Sequence, residues 1–214
     1  MEISRVLLIV CLLGLAIAGA QPNYPLYKQC DSSWANDQLG TSSKTICQAG
    51  CLMSSVAMAL KGHGVSENPH TLNIWLKNNG GYASGNLYVW ASINKRGFTF
   101  KGFVGNSEIK KNIDAGHVVI LNVHNGGHWV LAKGYSGDNI QVNDPGYSST
   151  SYPLSGIVNG NTGVYTTSKM PEVVSRITYA VETFFRDLLG FTPAPQTPPV
   201  EVVHEDRLAN LVQE

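Results

Sequence analysis

The chain has 214 residues, and its fifteen Lys or Arg residues balance its fifteen Asp or Glu residues, so its formal net charge at pH 7 is zero. It has no basic run or stripe, which argues against nucleic acid or an anionic membrane as a partner. Charged residues make up only 14% of the chain and hydrophobic residues 43%, a composition that predicts one loop-rich domain with its own core.

Residues 1–20 predict a secretory signal peptide. A basic residue precedes an apolar core over residues 6–17, and the small residues Ala18 and Ala20 follow it. The alternative is a membrane anchor, but the apolar stretch is shorter than the roughly 20 residues that a span needs. We therefore expect cleavage before Gln21 and a soluble, monomeric mature protein that is secreted or delivered to a lumenal or vacuolar compartment.

Cleavage at that point leaves three cysteines, Cys30, Cys47 and Cys51. An odd number in an oxidising compartment predicts one disulfide and one free thiol. A Cys47–Cys51 bridge would need a very tight loop, and a Cys30–Cys51 bridge would consume a thiol at the start of a predicted helix. A Cys30–Cys47 bridge closes a longer loop and is worth about 3 kcal/mol. We favour this third pairing, and catalysis is the commonest reason for an exported protein to keep a free thiol.

Three helices are predicted after an extended, polar lead-in over residues 21–46. The first covers residues 51–62, where apolar residues recur at spacings of three and four and a glycine provides the stop. The second begins at an Asn-Pro pair and covers residues 68–81, ending at two glycines. The third is predicted over residues 86–97.

The hydrophobic period then changes from that of helices to that of strands. Short β-branched and aromatic segments are separated by Asn, Gly and Asp, and they cover residues 98–104, 117–123, 128–135 and 139–144. An Asn-Gly-Gly turn between the second and third segments predicts a hairpin. Helices followed by an antiparallel sheet predict an α+β fold.

The C-terminal part of the chain has a different composition. Residues 171–190 carry an apolar helical stripe opposite charged residues and predict an amphipathic helix that closes the domain. Docking of this helix to a partner or a membrane surface is the less favoured alternative. Residues 191–214 start with a Pro-rich segment and predict a linker and a flexible acidic tail.

Cys51 is the predicted nucleophile. It follows Gln-Ala-Gly, where a tight turn would place the thiol at the start of a helix with exposed backbone N–H groups. A thiol attacks a carbonyl carbon as a thiolate, and such N–H groups can stabilise the resulting oxyanion. A cysteine before an apolar helix can also be an ordinary core residue, so further residues must support the catalytic interpretation.

A histidine should serve as the base, and His128 is the favoured candidate. It stands at the first position of a predicted strand, after two glycines that allow close approach, and Trp129 beside it could shield the site and contact a substrate. The other histidines after the signal occur in loop, capping, turn or tail contexts or, for His117, at a strand start that can be a solvated polar edge: His63, His70, His117, His124 and His204. A lone histidine at a strand start is usually structural, and the presence of Cys51 reverses that preference.

A third group must orient the imidazole, and Asp144 is the residue predicted to do so. If the last two predicted strands pair, the end of the second lies beside the start of the first, which brings Asp144 near His128. Asp144 is also a turn former in its Asp-Pro-Gly sequence. Asn143 is the neighbour that could take the same role, whereas Asp138 lies in a turn and is expected to be solvated.

An oxyanion hole needs a donor besides the backbone. Gln29 precedes Cys30, and a disulfide from Cys30 to Cys47 would hold it near the turn that leads to the thiol. The bridge would thereby position a donor without using up the nucleophile. Gln48 is a weaker candidate for the same role.

The candidate residues occur along the chain in the order Gln, Cys, His, Asp. They lie in these short motifs: Gln29, "AGC" with the helix "CLMSSVAMAL", "GHWVLAKGY" and "VNDPG". This order and these sequence motifs resemble those of papain-fold cysteine peptidases grouped with the bacteriocin leader-processing peptidases, and particularly those of their stand-alone, secreted branch. The resemblance spans roughly residues 24–150 and implies a papain-like peptidase domain over residues 21–170. We expect no fused transporter and therefore no export coupled to ATP hydrolysis.

Carried over position by position, the resemblance implies Gln29 as the oxyanion donor, Cys51 as the nucleophile, His128 as the general base and acid, and Asp144 as the orienting residue. Many members of this branch have Gly-Pro-Thr after the cysteine, where this chain has Leu-Met-Ser at residues 52–54. This departure concerns the shape of the substrate pocket and leaves the order of the catalytic groups intact.

The favoured function is therefore a secreted thiol hydrolase that cleaves peptide or related amide bonds through a thioester, without a cofactor. The same groups could transfer the acyl group to an amine instead. A second alternative is a catalytically silent peptide-binding module with the same fold. A metal site built from Cys51, His117, His124 and His128 is disfavoured, because the Asn-Gly-Gly turn breaks any helix between the last two histidines.

Overall fold

The computed structural model describes residues 21–167, which form one antiparallel sheet with helices on both of its faces. The predicted signal peptide over residues 1–20, the predicted amphipathic helix over 171–190 and the predicted linker and tail over 191–214 lie outside the described residues. Within the described part of the chain, no helix has the length and apolar character needed to cross a membrane.

The described residues include four α-helices, and local sequence explains where two of them begin. They are α1 (Ile46–Ala49), α2 (Cys51–Gly62), α3 (Pro69–Asn78) and α4 (Asn106–Asp114). The Asn68 side chain accepts a hydrogen bond from Thr71 N, and Pro69 occupies the first position of α3, where no backbone N–H is needed. Gly50 lies between α1 and α2, so the second helix begins at Cys51 as the sequence predicts.

Six strands form the main sheet. They are β3 (Phe98–Val104), β4 (Val118–Val123), β5 (His128–Ser136), β6 (Asn139–Asn143), β7 (Ser151–Pro153) and β8 (Thr162–Thr167), after a small hairpin of β1 (Tyr82–Ala83) and β2 (Leu87–Tyr88). The sheet order is β3-β8-β4-β5-β6-β7, with every neighbouring pair antiparallel.

Strand β4 is buried along its whole length because hydrophobic clusters cover both faces of the sheet. Val118 and Ile120 point into a cluster that includes the apolar residues of α2 and α3. Val119 and Leu121 point into a second cluster with the apolar residues of α4. The rigid frame for the site is thus a central hairpin, β4 and β5, packed against α2.

The predicted α+β class is confirmed, whereas two details of the prediction are wrong. The third predicted helix is a strand at Leu87–Tyr88 followed by a 3-10 helix over Trp90–Arg96, which Gly97 ends in a left-handed conformation with φ of 81°. Helices do not all precede the sheet, because α4 lies between β3 and β4 in the chain. Only two of its nine residues, Ile109 and Ile113, are buried, which makes its apolar pattern weak.

Candidate active site

Cys51 begins α2 at the end of a tight turn. Gly50 N donates a hydrogen bond to Ile46 O at 2.7 Å, and a Cβ on Gly50 would lie only 2.5 Å from that oxygen. The turn therefore requires glycine. No side chain caps α2, so its first backbone N–H groups have no side-chain acceptor, and the helix start favours negative charge that develops there.

The cysteine pairing leaves this thiol free. Cys30 and Cys47 form a disulfide, which is the pairing favoured on sequence grounds, and Cys51 is the free cysteine among the described residues. Cys51 is half-buried, whereas Cys30 is exposed. The two disulfide sulfurs and the free thiol belong to residues that line one cleft.

Strand register brings a histidine and an aspartate together beside this thiol. His128 is the first residue of β5, Asp144 follows the last residue of β6, and these strands pair antiparallel. His128 Nε2 donates a hydrogen bond to Asp144 Oδ1 at 2.7 Å, and the two side chains are 6% and 0% exposed. Since Nε2 is occupied in this bond, Nδ1 is the ring nitrogen that remains for Cys51.

The surroundings of His128 favour its charged form. Burial lowers the pKa of His128, but its hydrogen bonds to Asp144 and to Cys51 outweigh burial and raise this pKa to about 9. Both partners act in the same direction because a carboxylate and a thiolate each stabilise an imidazolium. The imidazole is therefore held as a cation at neutral pH, in contact with the thiol.

Asp144 accepts hydrogen bonds on both carboxylate oxygens. Its Oδ1 accepts from His128 Nε2, from Gly146 N at 2.9 Å and from Tyr147 N at 2.8 Å, and its Oδ2 accepts from the Tyr152 hydroxyl at 2.7 Å. Burial raises the pKa of Asp144, but these hydrogen bonds lower it by more than burial raises it. The pKa of Asp144 is therefore about 2, below the usual value of an aspartate. The carboxylate is consequently ionised at any pH at which the protein would work.

The two neighbouring alternatives to Asp144 have other partners. Asn143 Nδ2 donates to the carbonyl oxygens of Tyr24 and Pro25, both at 3.0 Å, and so ties the N-terminal segment to the end of β6. Asp138 lies in the β5–β6 turn, where its side chain is 82% exposed and paired with Lys110 at 2.8 Å. Neither side chain reaches the His128 imidazole through these contacts.

Gln29 connects the two sides of the site. Its backbone N donates to Pro145 O at 2.9 Å, beside Asp144, and its side-chain Nε2 donates to Cys47 O at 2.6 Å, beside the disulfide. The residue is only 9% exposed, and Nε2 carries a second N–H that this bond does not use. Gln48, the weaker candidate, uses its side-chain oxygen to accept from Thr45 N at the start of α1.

A cleft of about 620 Å³ runs past the thiol and the imidazole. The residues that line it are uncharged apart from the cysteine and histidine already described: Gln29, Cys30, Leu39, Cys47, Gln48, Ala49, Cys51, Leu52, Met53, Tyr82, Asn86, Leu87, Tyr88, Gly127, His128, Trp129, Gly146 and Tyr147. Trp129 is among them, half-buried, with its ring 5.2 Å from that of Trp90. Gln29, Cys51 and His128 thus meet in one cleft, and Asp144 lies behind the imidazole.

Three residues after Asp144 belong to the site and were not predicted from the sequence. A Cβ on Gly146 would lie 2.8 Å from His128 Cε1, so the imidazole packs directly on this glycine. The Tyr147 ring lies edge-on to the His128 ring with 4.9 Å between centroids. Tyr152 bonds Asp144 from β7. Gly146 and Tyr147 share a signal in the sequence, the motif Asp-Pro-Gly-Tyr that begins at the orienting carboxylate, whereas Tyr152 lies outside this motif.

Three other histidines of the described residues have separate partners, whereas the His124 ring lies 5.6 Å from that of His128. His70 Nδ1 pairs with Asp37 Oδ2 at 2.6 Å on the surface, and His117 Nδ1 bonds Asn112 Oδ1 at 2.9 Å. His63 is buried against Tyr24. Within residues 21–167, no three His, Cys, Asp or Glu side chains are grouped so that they could hold a metal ion.

A family model matches residues 21–165, and it is that of the Peptidase C39 like family. The chain belongs to this family. Its membership confirms the resemblance described above and the papain-like α+β fold. Within this C39-like chain, Leu52 and Met53 line the cleft directly after the thiol.

Two solved structures are similar to this C39-like chain. One is a double glycine motif protease from an AMS/PCAT transporter in complex with the leader peptide, with 16% identity and a TM-score of 0.47 over 70% of this chain and 95% of that one. The other is a C39-like peptidase from Bacillus anthracis, with 17% identity and a TM-score of 0.46 over 69% of this chain and 96% of that one. A comparison with curated protein sequences found no significant match.

Proposed function

We propose that this chain is a secreted cysteine peptidase that hydrolyses peptide or related amide bonds. Cys51 is its nucleophile, His128 its general base and acid, Asp144 the residue that orients the imidazole, and Gln29 the side-chain donor to the oxyanion. The observation that carries this proposal is the contact, within one cleft, between a free thiol and an imidazole whose pKa is raised to about 9. Membership of a peptidase-like family supports the same class of reaction.

The reaction starts from the Cys51 thiolate and the His128 imidazolium. The sulfur attacks the carbonyl carbon, a C–S bond forms, and the carbonyl electron pair moves onto oxygen. Backbone N–H groups at the start of α2 and the second N–H of Gln29 Nε2 donate to this oxyanion. As the tetrahedral intermediate collapses, the C–N bond breaks, His128 gives its proton to the leaving amine, and a thioester remains.

Water completes the cycle. Neutral His128 takes a proton from a water molecule whose oxygen attacks the thioester carbon. Collapse of the second tetrahedral intermediate breaks the C–S bond, releases the acid product and restores the thiolate beside the imidazolium. Asp144 keeps its charge through both halves, since its pKa is about 2, and it holds the ring so that the same nitrogen faces the sulfur throughout.

The cleft supports a peptide substrate with an uncharged segment at the scissile bond. Among residues 21–167, no Asp, Glu, Lys or Arg lines it, and apolar contact surface comes from Leu52, Met53, Leu87 and Trp129. A charged substrate side chain would lose water there without gaining an opposite charge. Trp129 is the residue proposed to contact the substrate next to the base.

Export is supported by the disulfide and by the sequence of residues 1–20. Disulfides persist in oxidising compartments and are rare in the cytosol. The Cys30–Cys47 bridge has an exposed member, so a reducing cytosol would have access to it. In an oxidising compartment outside the cytosol the Cys30–Cys47 disulfide would persist, and Cys51 would remain the free thiol of the described residues.

Peptide cleavage by the wild type and by Cys51→Ala tests the proposal directly. Both proteins are incubated with a peptide library and an added amine, and the products are identified by mass spectrometry. We expect hydrolysed fragments from the wild type alone, with cleavage reduced by at least about 10³-fold in the variant, because the covalent path is lost. Thermal unfolding of both proteins controls for folding.

Each other outcome has a defined meaning. Equal product patterns from the two proteins would remove Cys51 from the mechanism. Binding of peptides without any cleavage by either protein would indicate a silent peptide-binding module. Products joined to the added amine, formed only by the wild type, would assign acyl transfer in place of hydrolysis.

A further inference from the structure

The Asp144 carboxylate is the end of a chain of hydrogen bonds that runs out to the protein surface. Its Oδ2 accepts from the Tyr152 hydroxyl at 2.7 Å, and the same hydroxyl oxygen lies 3.1 Å from His124 Nε2. Tyr152 is 9% exposed, whereas His124 is exposed. Tyr152 does not line the cleft, and its hydrogen bond to Asp144 joins it to the site.

The number of hydrogens fixes the direction of this chain. A tyrosine hydroxyl has one hydrogen, and an ionised carboxylate has none, so Tyr152 must donate to Asp144. The hydroxyl oxygen is then left to accept, and His124 Nε2 must carry the hydrogen that it receives. Burial and the bond to Asp144 raise the pKa of Tyr152 to about 12, so its hydroxyl keeps this proton.

The two carboxylate oxygens of Asp144 accept hydrogen bonds from different donors. Oδ1 accepts from His128 and from two backbone N–H groups, whereas the Tyr152 hydroxyl is the donor described for Oδ2. The Asp144 side chain is fully buried, so water cannot replace a lost donor without structural change. Removing the hydroxyl would leave half of a buried carboxylate without a hydrogen bond, which disfavours its charged form.

Other titratable groups also face this carboxylate and its tyrosine. The Tyr147 ring contacts both imidazoles, with its centroid 4.6 Å from that of His124 and 4.9 Å from that of His128, and the two imidazole centroids lie 5.6 Å apart. Lys28 Nζ donates to the backbone oxygen of Asp144 at 2.8 Å and to that of Tyr147. Lys28 therefore contacts the main chain here, and the carboxylate oxygens take their hydrogen bonds from His128, Tyr152 and two backbone groups.

The geometry points to Tyr152 as a positioning residue for the reaction. Its hydroxyl completes the hydrogen bonding of the buried Asp144 carboxylate and so keeps that carboxylate ionised and directed at His128. This inference rests on the proposed function, because it assigns Tyr152 a role only if the Cys51–His128 pair is the reactive one.

The expected signature lies on the alkaline side of the pH profile. In the wild type the hydrogen bond to Asp144 helps to raise the pKa of His128 to about 9, and the imidazolium is lost above that pH. Without the Tyr152 hydroxyl the carboxylate is held toward His128 less firmly, so this hydrogen bond weakens and the pKa of His128 falls. We expect the alkaline limb of kcat/KM to move down by about one pH unit, the size of a lost hydrogen bond to a charged group.

The test compares the wild type, Tyr152→Phe and Tyr135→Phe as full chains. Tyr135→Phe is a matched control, because the Tyr135 hydroxyl also donates to a carboxylate, that of Asp114 at 3.0 Å, on the exposed end of β5. Alkylation of Cys51 by iodoacetamide is followed by mass spectrometry from pH 3 to pH 9, which reads the thiolate without a substrate. Peptide cleavage is measured in parallel for kcat and KM.

The expected result is an alkaline limb of kcat/KM, measured from pH 5 to pH 10, that moves down by about one pH unit for Tyr152→Phe and does not move for Tyr135→Phe. For Tyr152→Phe, kcat should also fall about tenfold with KM unchanged, because Tyr152 does not line the cleft. A purely structural tyrosine would lower thermal stability and leave the alkaline limb in place, and that result would overturn the inference.

Failure of the inference is distinguishable from failure of the proposed function. If wild-type Cys51 reacts near pH 6 no faster than an ordinary thiol, the proposed function fails and the inference falls with it. If the wild type reacts fast and Tyr152→Phe follows its profile, the inference alone is wrong. Should Tyr152→Phe not fold, His124→Leu tests the same chain from its exposed end, with a smaller downward shift of the alkaline limb expected and no shift counting against the inference.

Discussion

The two walls of the cleft are held in place by different physical means. On the thiol wall, a tight turn at Gly50, the start of α2 and the Cys30–Cys47 disulfide fix the backbone around Cys51. On the imidazole wall, strand register and four hydrogen bonds to the buried carboxylate of Asp144 fix the ring of His128. The first wall depends on covalent and steric constraints, and the second depends on charge.

Because of this difference, we expect the thiol wall to respond to reductant and the imidazole wall to respond to pH. A disulfide and a glycine turn are insensitive to pH, whereas a buried carboxylate and an imidazolium are insensitive to reductant. The walls meet at residues 28–29, where Gln29 N bonds Pro145 O and Lys28 Nζ bonds Asp144 O. Perturbations of one wall should therefore reach the other only weakly.

Loss of charge on the imidazole wall should have the largest effect. Asp144→Asn keeps the side-chain shape but removes the negative charge that helps to raise the pKa of His128 to about 9. This pKa should fall, and the alkaline limb of kcat/KM should move down, because the imidazolium is lost above its pKa. We expect kcat/KM to fall by about 10²- to 10³-fold, measured from pH 5 to pH 10.

Asp138→Asn is the matched control for that charge change. Asp138 is exposed and pairs with Lys110 in the β5–β6 turn, so both the rate and the alkaline limb should stay within about twofold of the wild type. An unchanged alkaline limb in Asp144→Asn would mean that this carboxylate does not set the charge state of His128.

A steric change on the same wall should have a smaller effect. In Gly146→Ala the new Cβ would lie 2.8 Å from His128 Cε1, so the imidazole must shift by several tenths of an ångström. We expect kcat to fall about tenfold, because misplacement of a catalytic group lowers the rate steeply. Gly156→Ala is the control, since its Cβ meets no atom closer than 3.5 Å, and equal rates for the two variants would contradict the described packing.

Local sequence predicts much of this frame. Asn68 and Pro69 mark the start of α3, and Gly50 followed by Cys51 marks the start of α2, because caps and tight turns are decided by adjacent residues. The strand over 98–104 also has the predicted bounds. Strand β8 was not predicted, although it pairs with both β3 and β4, because its burial comes from neighbours that are distant in sequence.

The same division applies to the candidate site. Short sequence motifs were enough to predict four candidate residues, Gln29, Cys51, His128 and Asp144. The structure places these residues together, and their catalytic roles remain the proposal made above. Tyr152 could not be found in this way. Its contact with Asp144 depends on the return of the chain into β7, where it pairs with Ile140, and the sequence does not specify that return.

Removal of the disulfide should have the smallest effect on rate and a clear effect on stability. The Cys30→Ser, Cys47→Ser double variant loses the chain constraint across a separation of 17 residues, so its free energy of unfolding should fall by about 3 kcal/mol. Gln29 keeps its bond to Cys47 O but gains freedom, so kcat/KM should fall only about threefold, about 0.7 kcal/mol in the barrier. Denaturant unfolding and peptide cleavage measure the two effects.

The pH profile of this double variant decides whether the two walls are independent. The alkaline limb of kcat/KM should keep its wild-type position, since the bonds to Asp144 do not involve either disulfide cysteine. An alkaline limb displaced as far as in Tyr152→Phe would instead show that the disulfide controls the carboxylate through Gln29 and Pro145. In that case the backbone bond at 2.9 Å would couple the walls strongly, and reductant would act on the proton equilibrium of the site as well as on its stability.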